Sequence, residues 1–247
     1  MISIICSNYN SEKWIKGYLN SINNQDLSHF EIIILDANST DDSLRLIKKF
    51  NFRENIDFTI IENNKRINLY EAYNIAIKKS RYNYVLFYNT DDRLNPEALD
   101  TYALLIKKYP HADVFYTSYY VSDDKDHNNI IQLRKPKRFS HRSLLKESKI
   151  GPFPLVKKNV IKTLGYFKPE YSISGDYEMW LNMSVNGFTF KPLPQLNIGT
   201  YYYNPEGIST KDDKESWDMH IKQDTELRKI YKRSTKNHWL SNLFSLK

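Results

Sequence analysis

The sequence predicts an α/β fold with a mixed, mainly parallel central sheet flanked by helices. Two observations carry that reading. Short apolar runs alternate with amphipathic segments through the first 120 residues, and polar clusters follow three of the runs directly. Strands are expected at Ile2–Cys6, Glu31–Leu35, Phe58–Ile61, Tyr84–Tyr88 and Val114–Ser118. Between them Glu12–Asn23, Asp41–Phe50, Leu69–Lys79 and Pro96–Lys108 have helical patterns. In the last of these Pro96 suits the first turn, where no N–H is needed, and Leu99, Ala103 and Ile106 mark one face. Further along, Lys157–Leu164 and Asp176–Asn186 read as helices, and Phe188–Pro192 and Leu196–Tyr203 as strands. The segment Ser122–Arg138 is strongly charged, with Asp123-Asp124-Lys125-Asp126 and then Arg134-Lys135-Pro136-Lys137-Arg138. It fits a solvated loop or edge hairpin, or a flap that touches a phosphate or an acceptor.

A chain of 247 residues suits one domain with an appended tail. The single Cys6, set in an apolar run, excludes an internal disulfide and a cysteine zinc site, and fits a reducing, cytoplasmic setting. The first apolar run is too short for a signal sequence, and no stretch approaches the roughly 18 apolar residues of a membrane span. The expectation is a chain that neither crosses a membrane nor is exported. A net charge of +7 and a pI near 9.1 point to an anionic partner. Nucleic acid is not expected, because the six histidines show no zinc spacing and the basic residues form no recognition helix. The 19 Tyr and 12 Phe exceed what a core needs, so some should line a groove. From about Ser216 the pattern is helical, and Trp239, Leu240, Leu243 and Phe244 form an apolar patch beside basic residues. That patch suits an anionic membrane surface, packing back on the domain, or a homodimer contact.

In open α/β sheets ligands bind beyond the carboxyl ends of the strands. There the sequence places Ser7-Asn8-Tyr9-Asn10, Asp36-Ala37-Asn38-Ser39-Thr40-Asp41 and Asn89-Thr90-Asp91-Asp92. Helix starts would explain part of this: Ser39 with Asp42 resembles a capping box, and Asn10 or Ser11 an N-cap. The adjacent Asp91 and Asp92 repel one another unless a cation is present, and their side chains diverge in an extended chain. One on a ribose hydroxyl and its neighbour on Mg²⁺ or Mn²⁺ is a natural division; a solvated turn is the alternative. Asp176 opens a helix, with Trp180 one turn on, and the macrodipole alone would favour a carboxylate there. The first turn, Ser7-Asn8-Tyr9-Asn10, contains no glycine, which argues against a glycine-rich phosphate loop and the nucleotidyltransferases that use one.

Five segments in register resemble the family-2 glycosyltransferases of GT-A fold, over roughly residues 1–210. They are Ser3–Asn10; Phe30–Asp41, similar to the strand and Asp-Asp-Gly-Ser-Thr-Asp loop; Leu69–Asn74, with its Ala-x-Asn; Asn89–Asp92, similar to the metal-binding Asp-x-Asp; and Gly165-Tyr166-Phe167 with Gly175–Leu181. The resemblance implies a GT-A catalytic domain over 1–215, with a nucleotide-binding half (1–120) and an acceptor-binding half (121–215), and a tail over 216–247. It implies transfer from a nucleotide diphosphate sugar, commonly UDP-linked, to a hydroxyl of a glycan or lipid-linked glycan with inversion. By residue it places Ser7, Tyr9 and Asp36 on the base and ribose, Asp91 on the ribose, Arg66 on the nucleotide, Asp92 and Asn204 on Mn²⁺ or Mg²⁺, and Asp176 as general base. Three departures stand out. Ala37 replaces an Asp, Gly175 replaces the Glu before the base, and Asn204 stands where a metal-contacting His is common. They leave open a degenerate protein that binds sugar nucleotide or glycan without turnover. The implied setting is surface-polysaccharide or lipopolysaccharide assembly, peripheral to the inner face of the membrane.

Overall fold

A computed structural model describes residues 1–208, 210, 211 and 213–244, with the side chains of 233–244 excepted. The first half runs β1 (Ile2–Asn8), α1 (Glu12–Asn23), β2 (Phe30–Asp36), α2 (Ser43–Lys49), β3 (Ile56–Glu62), α3 (Leu69–Lys79), β4 (Tyr84–Phe87), β5 (Arg93–Leu94) and α4 (Ala98–Lys108). The second runs β6 (Val114–Ser122), β7 (Ile130–Arg134), α5 (His141–Leu144), β8 (Leu155–Lys157), α6 (Lys158–Thr163), α7 (Gly175–Val185), β9 (Phe190–Tyr202) and α8 (Lys214–Phe244). The strands join in one sheet of order β3-β2-β1-β4-β8-β6-β9-β5, with β7 on β6.

Strands β3, β2, β1 and β4 are parallel, with Asn8 opposite Asp36 at the carboxyl end. β2 is buried at every position because helices cover both faces, which explains its unbroken apolar run. The two faces alternate by residue. Ile2, Ile4 and Cys6 pack with α1 and α4, whereas Ile5, Ile33 and Val85 pack with α3 and α7. β8 then runs antiparallel to both β4 and β6, and makes the sheet mixed.

The structure corrects several element boundaries. The expected strands Phe188–Pro192 and Leu196–Tyr203 are one strand, β9, whose pairing with β6 shifts register near Pro192 and Pro194, where ladder N–H groups are missing. α2 starts at Ser43, because Asp41 turns its carboxylate onto the Ser43 N–H and hydroxyl. Pro96 lies before α4, and its carbonyl accepts from the Asp26 N–H at 2.9 Å. Ser39 and Asp42 form no capping box; the reciprocal one is Asn68 with Glu71, at the start of α3. Ser122–Arg138 forms the edge hairpin, with β7 antiparallel to β6.

α8 packs on α7 through buried Leu227 and Tyr231. Gln223 accepts from the N–H groups of Ile173 and Ser174 at 3.1 and 3.0 Å, and the fully buried Glu178 takes Lys168 at 2.6 Å and the Tyr231 hydroxyl. These contacts fix the turn immediately before Asp176. The side chains of Trp239, Leu240, Leu243 and Phe244 lie outside the described residues. No helix among the described residues is long and apolar enough to cross a membrane.

Candidate active site

At the ends of β1 and β2 the loops are stitched together by side chains. Asn8 Nδ2 donates to Asp36 Oδ1 at 2.6 Å and reaches the hydroxyls of Ser39 and Ser43 at 3.1 and 3.0 Å. Asp36 also accepts from the Ser39 hydroxyl at 2.6 Å and the Ser39 N–H at 3.0 Å. Asn10 sits in the left-handed region (φ 49°), where its Oδ1 accepts from the Thr40 N–H at 2.8 Å. Asp36 is buried and organises the loop that carries Ala37, itself buried. Tyr9 is 39% exposed, and the Arg66 guanidinium stacks 3.5 Å from its ring centroid, giving a flat cationic-aromatic platform. Ser7 lies half-buried opposite Leu35 in register.

The acidic turn follows β4, next to β1 in the sheet, and is tied to the first loop by the Thr90 hydroxyl, which donates to the Ser11 hydroxyl at 3.0 Å. Asp91 Oδ2 accepts from Asn204 Nδ2 at 3.0 Å, while Asn204 Oδ1 accepts from the Glu206 N–H. The Asn204 amide is therefore a bracket between Asp91 and the end of β9. Asp92 is fully buried; its Oδ1 accepts from the Tyr202 N–H at 3.1 Å, and its enclosed Oδ2 has no hydrogen-bond partner among the described residues. Arg93 forms no ion pair with either carboxylate, since its guanidinium points at the carbonyls of Asp92, Thr90 and Trp14 at 2.6, 3.1 and 3.3 Å, and its charge only partly opposes the rise in their pKa values. Burial raises both carboxyl pKa values, that of Asp92 well above the usual range with the Asp91 charge adding to it.

His127, on the hairpin loop, leans on this turn with Nε2 2.9 Å from the Asp91 carbonyl oxygen. Burial, then the charge of Arg93, pushes its pKa down to about 4, so the ring is neutral near pH 7, and its enclosed Nδ1 is unpartnered among the described residues. Two adjacent carboxylates with an orphaned buried oxygen and, among the described residues, no ion-paired cation have the chemistry of a hard divalent-ion site. No cluster of three His, Cys, Asp or Glu side chains able to hold a metal occurs among the described residues. Any ion there would need oxygens from a bound ligand as well.

Asp176 opens α7. Its Oδ1 accepts from the Tyr177 N–H at 2.8 Å and the Tyr70 hydroxyl at 3.2 Å; that hydroxyl also lies 3.0 Å from the Ile173 carbonyl. Burial raises the Asp176 pKa, and those two hydrogen bonds oppose the rise. The Gly175 departure has a steric cause, because a Cβ there would lie 2.6 Å from the Tyr70 ring. Gly175→Ala is expected to displace Tyr70 and cost about 1–3 kcal/mol, as overpacking does. Urea denaturation measures it, and an unchanged midpoint would contradict the packing.

α3 connects Asp176 to the acidic turn. One turn along from Tyr70, the Tyr73 hydroxyl donates to Asn89 Oδ1 at 2.6 Å. Tyr70, Tyr73, Asn89, Asp176, Trp180 and Tyr201 share one cavity of about 670 Å³. The structure thus brings Asp176 to the wall that carries Asn89 of the acidic turn. Ser7, Tyr9, Asp36 and Arg66, with Asp91 and Asp92, are not among the lining residues; Ser7 and Asp36 lie at the carboxyl ends of β1 and β2, Tyr9 in the loop after β1 and Arg66 in the loop after β3. Sequence reasoning missed Asn8, Tyr70, Tyr73 and His127 as parts of this arrangement. Asn8 had a signal in the first polar cluster, and Tyr70 and Tyr73 had one in the segment Leu69–Asn74, where Tyr73 is the middle residue of Ala-x-Asn; His127 had none.

This sheet, with a carboxylate-bearing turn on one wall and a helix-borne Asp on another, is the architecture of the GT-A glycosyltransferases. The chain belongs to glycosyl transferase family 2, whose sequence profile matches residues 3–164. It is similar to the poly(ribitol-phosphate) beta-N-acetylglucosaminyltransferase TarS of Staphylococcus aureus, 35% identical over 114 residues, which are 45% of this chain and 20% of that protein. It spans only about a fifth of that relative. It is 25% identical over 217 residues to the Escherichia coli UDP-Glc:alpha-D-GlcNAc-diphosphoundecaprenol beta-1,3-glucosyltransferase WfaP, covering 87% of this chain and 81% of that one. The fold is that of S. aureus TarS residues 1–349 solved with UDP-GlcNAc, with a TM-score of 0.71 and 21% identity, covering 88% of this chain and 64% of that one.

Proposed function

We propose that the chain transfers a sugar from a UDP-sugar to an acceptor hydroxyl with inversion, assisted by a divalent cation. The observation that carries the reading is Asp176, an enclosed, hydrogen-bonded carboxylate in one cavity with Asn89 of the acidic turn. In this reading Asp176 takes the acceptor proton as the acceptor oxygen bonds to the anomeric carbon, and the bond from that carbon to the diphosphate breaks to release UDP. Burial makes Asp176 a stronger base than a solvated carboxylate, and the Tyr70 hydroxyl aims it. The β-linked products named for TarS and WfaP suit displacement of an α-linked donor in one step.

Tyr9 and Arg66 offer a platform for the base, and Ser7 and the loop set by Asp36 a rim for the base and ribose. Asp91 is assigned to the ribose. Asp92 would hold Mn²⁺ or Mg²⁺, with Asn204 bracketing Asp91 beside it. Such an ion, when bound, offsets charge on the departing diphosphate. The relatives' names support a place in cell-surface polymer assembly with a lipid-linked or polymeric acceptor; association with an anionic membrane surface and a homodimer contact through the tail belong to the same proposal. The test is a panel of nucleotide sugars with Mn²⁺, read by UDP release and by NMR of the product's anomeric configuration. One UDP-sugar is expected to turn over with inversion. Saturable binding without product from any donor would favour a degenerate binding protein, and retention would overturn the single-step reading.

A further inference from the structure

Building on the transferase reading, we propose that the acceptor carries a phosphate group near the hydroxyl to be glycosylated, and that the segment Arg134–Lys137 holds that phosphate. Arg134, Lys135 and Lys137 line the same cavity as Asp176, and Lys149 lies on it too. Among the described residues none of the first three has a carboxylate within ion-pair distance: Arg134 donates to Gln132 Oε1 at 2.9 Å, and Lys149 alone meets Glu147, at 3.5 Å. On other parts of the surface basic side chains do find acids, as in Arg45 with Asp42, Lys48 with Glu62 and Arg81 with Glu31 and Asp57. The remaining acid on the lining, Asp224, is held by Arg228 at 3.0 Å and by the Ser174 hydroxyl.

The cations also stand on anchored backbone. The Tyr116 hydroxyl donates to the Lys137 carbonyl at 3.2 Å, and Phe139 stacks on Phe190 with centroids 3.9 Å apart. Unpaired cations carried on an anchored segment beside a cleft raise the positive potential at an anion bound there. The donor's base is assigned to Tyr9 and Arg66, its ribose to Asp91 and the ion for its diphosphate to Asp92, and none of those four residues lines this cavity. An anion brought by the other substrate therefore matches the wall.

The test uses the full chain loaded with UDP and three probes: a neutral allyl N-acetylglucosaminide, a short-chain alkyl diphosphate ester of N-acetylglucosamine, and a poly(glycerol phosphate) oligomer. At low salt at least one phosphate probe is expected to bind about tenfold more tightly than the neutral one, with an advantage that shrinks as salt rises. Which phosphate probe wins distinguishes a lipid diphosphate from a polyol phosphate chain. The double variant Lys135→Gln/Lys137→Gln should erase the advantage while UDP affinity stays within about twofold of wild type. Equal binding of all three probes overturns the proposal, as does a loss of UDP affinity in the double variant, which would give the cations to the donor. A wild-type chain that never turns over a UDP-sugar sinks the transferase reading separately, because the titration still decides whether the wall holds phosphate.

Discussion

Replacing Asp176 by Asn is expected to lower kcat by about a thousandfold, within the range general-base removal produces, while the Kd for UDP stays near its wild-type value. Asn preserves the shape and can still accept from the Tyr177 N–H and the Tyr70 hydroxyl, so folding should survive. Because burial raises the Asp176 pKa, the acid limb of the kcat/KM profile should lie above the usual carboxylate range. Tyr70→Phe removes one of the hydrogen bonds that hold the value down, so it should move that limb to still higher pH. The sign for stability is the reverse of an ion-paired Asp: the advantage of the protonated group is complete below its unfolded pKa and is lost as pH rises through the raised folded value. Asp176→Asn should accordingly gain stability relative to wild type at pH 7 and not at pH 3. A kcat within tenfold of wild type would remove Asp176 from the base role.

Asp92→Asn is the second large effect. Without added metal it should stabilise the fold, by about 1–2 kcal/mol in urea at pH 8, because a buried carboxylate with one unpartnered oxygen is replaced by a neutral amide that can keep the Tyr202 contact. With Mn²⁺ and UDP the order should invert. Wild type gains about 2.7 kcal/mol when ligand exceeds Kd a hundredfold, and the variant gains little. Turnover should fall by at least about a hundredfold. Equal stabilisation of both proteins by Mn²⁺ would place the ion elsewhere.

The parallel half of the fold was legible because three of its strands are buried on both sides: β1, β2 and β4 read as apolar runs with polar ends, and the helices between them carry a clear stripe. The rest of the sheet was legible only in part: β6, β9 and the hairpin were marked, but the short antiparallel strands were not. β5 and β8 are two and three residues long, and their pairing is decided by partners distant in sequence rather than by local pattern. Prolines at 192 and 194 disguised one bulged strand as two. At the site, Asp36, Asp91, Asp92 and Asp176 could be named from their positions at strand and helix ends. What sequence could not give is where each carboxylate is aimed. Asp36 turns inward to Asn8 and Ser39, Asp91 is bracketed by Asn204, and the link to Asp176 runs through Tyr70 and Tyr73, which a helical pattern marks only as core.

A crystal structure of the chain with UDP and Mn²⁺ tests the central assignment most directly. The account expects the uracil against Tyr9 and Arg66, the ion on the Asp91–Asp92 turn, and Asp176 facing the open side of the diphosphate across the cavity. A diphosphate seated away from the acidic turn, or an ion held without either of those two carboxylates, would contradict it.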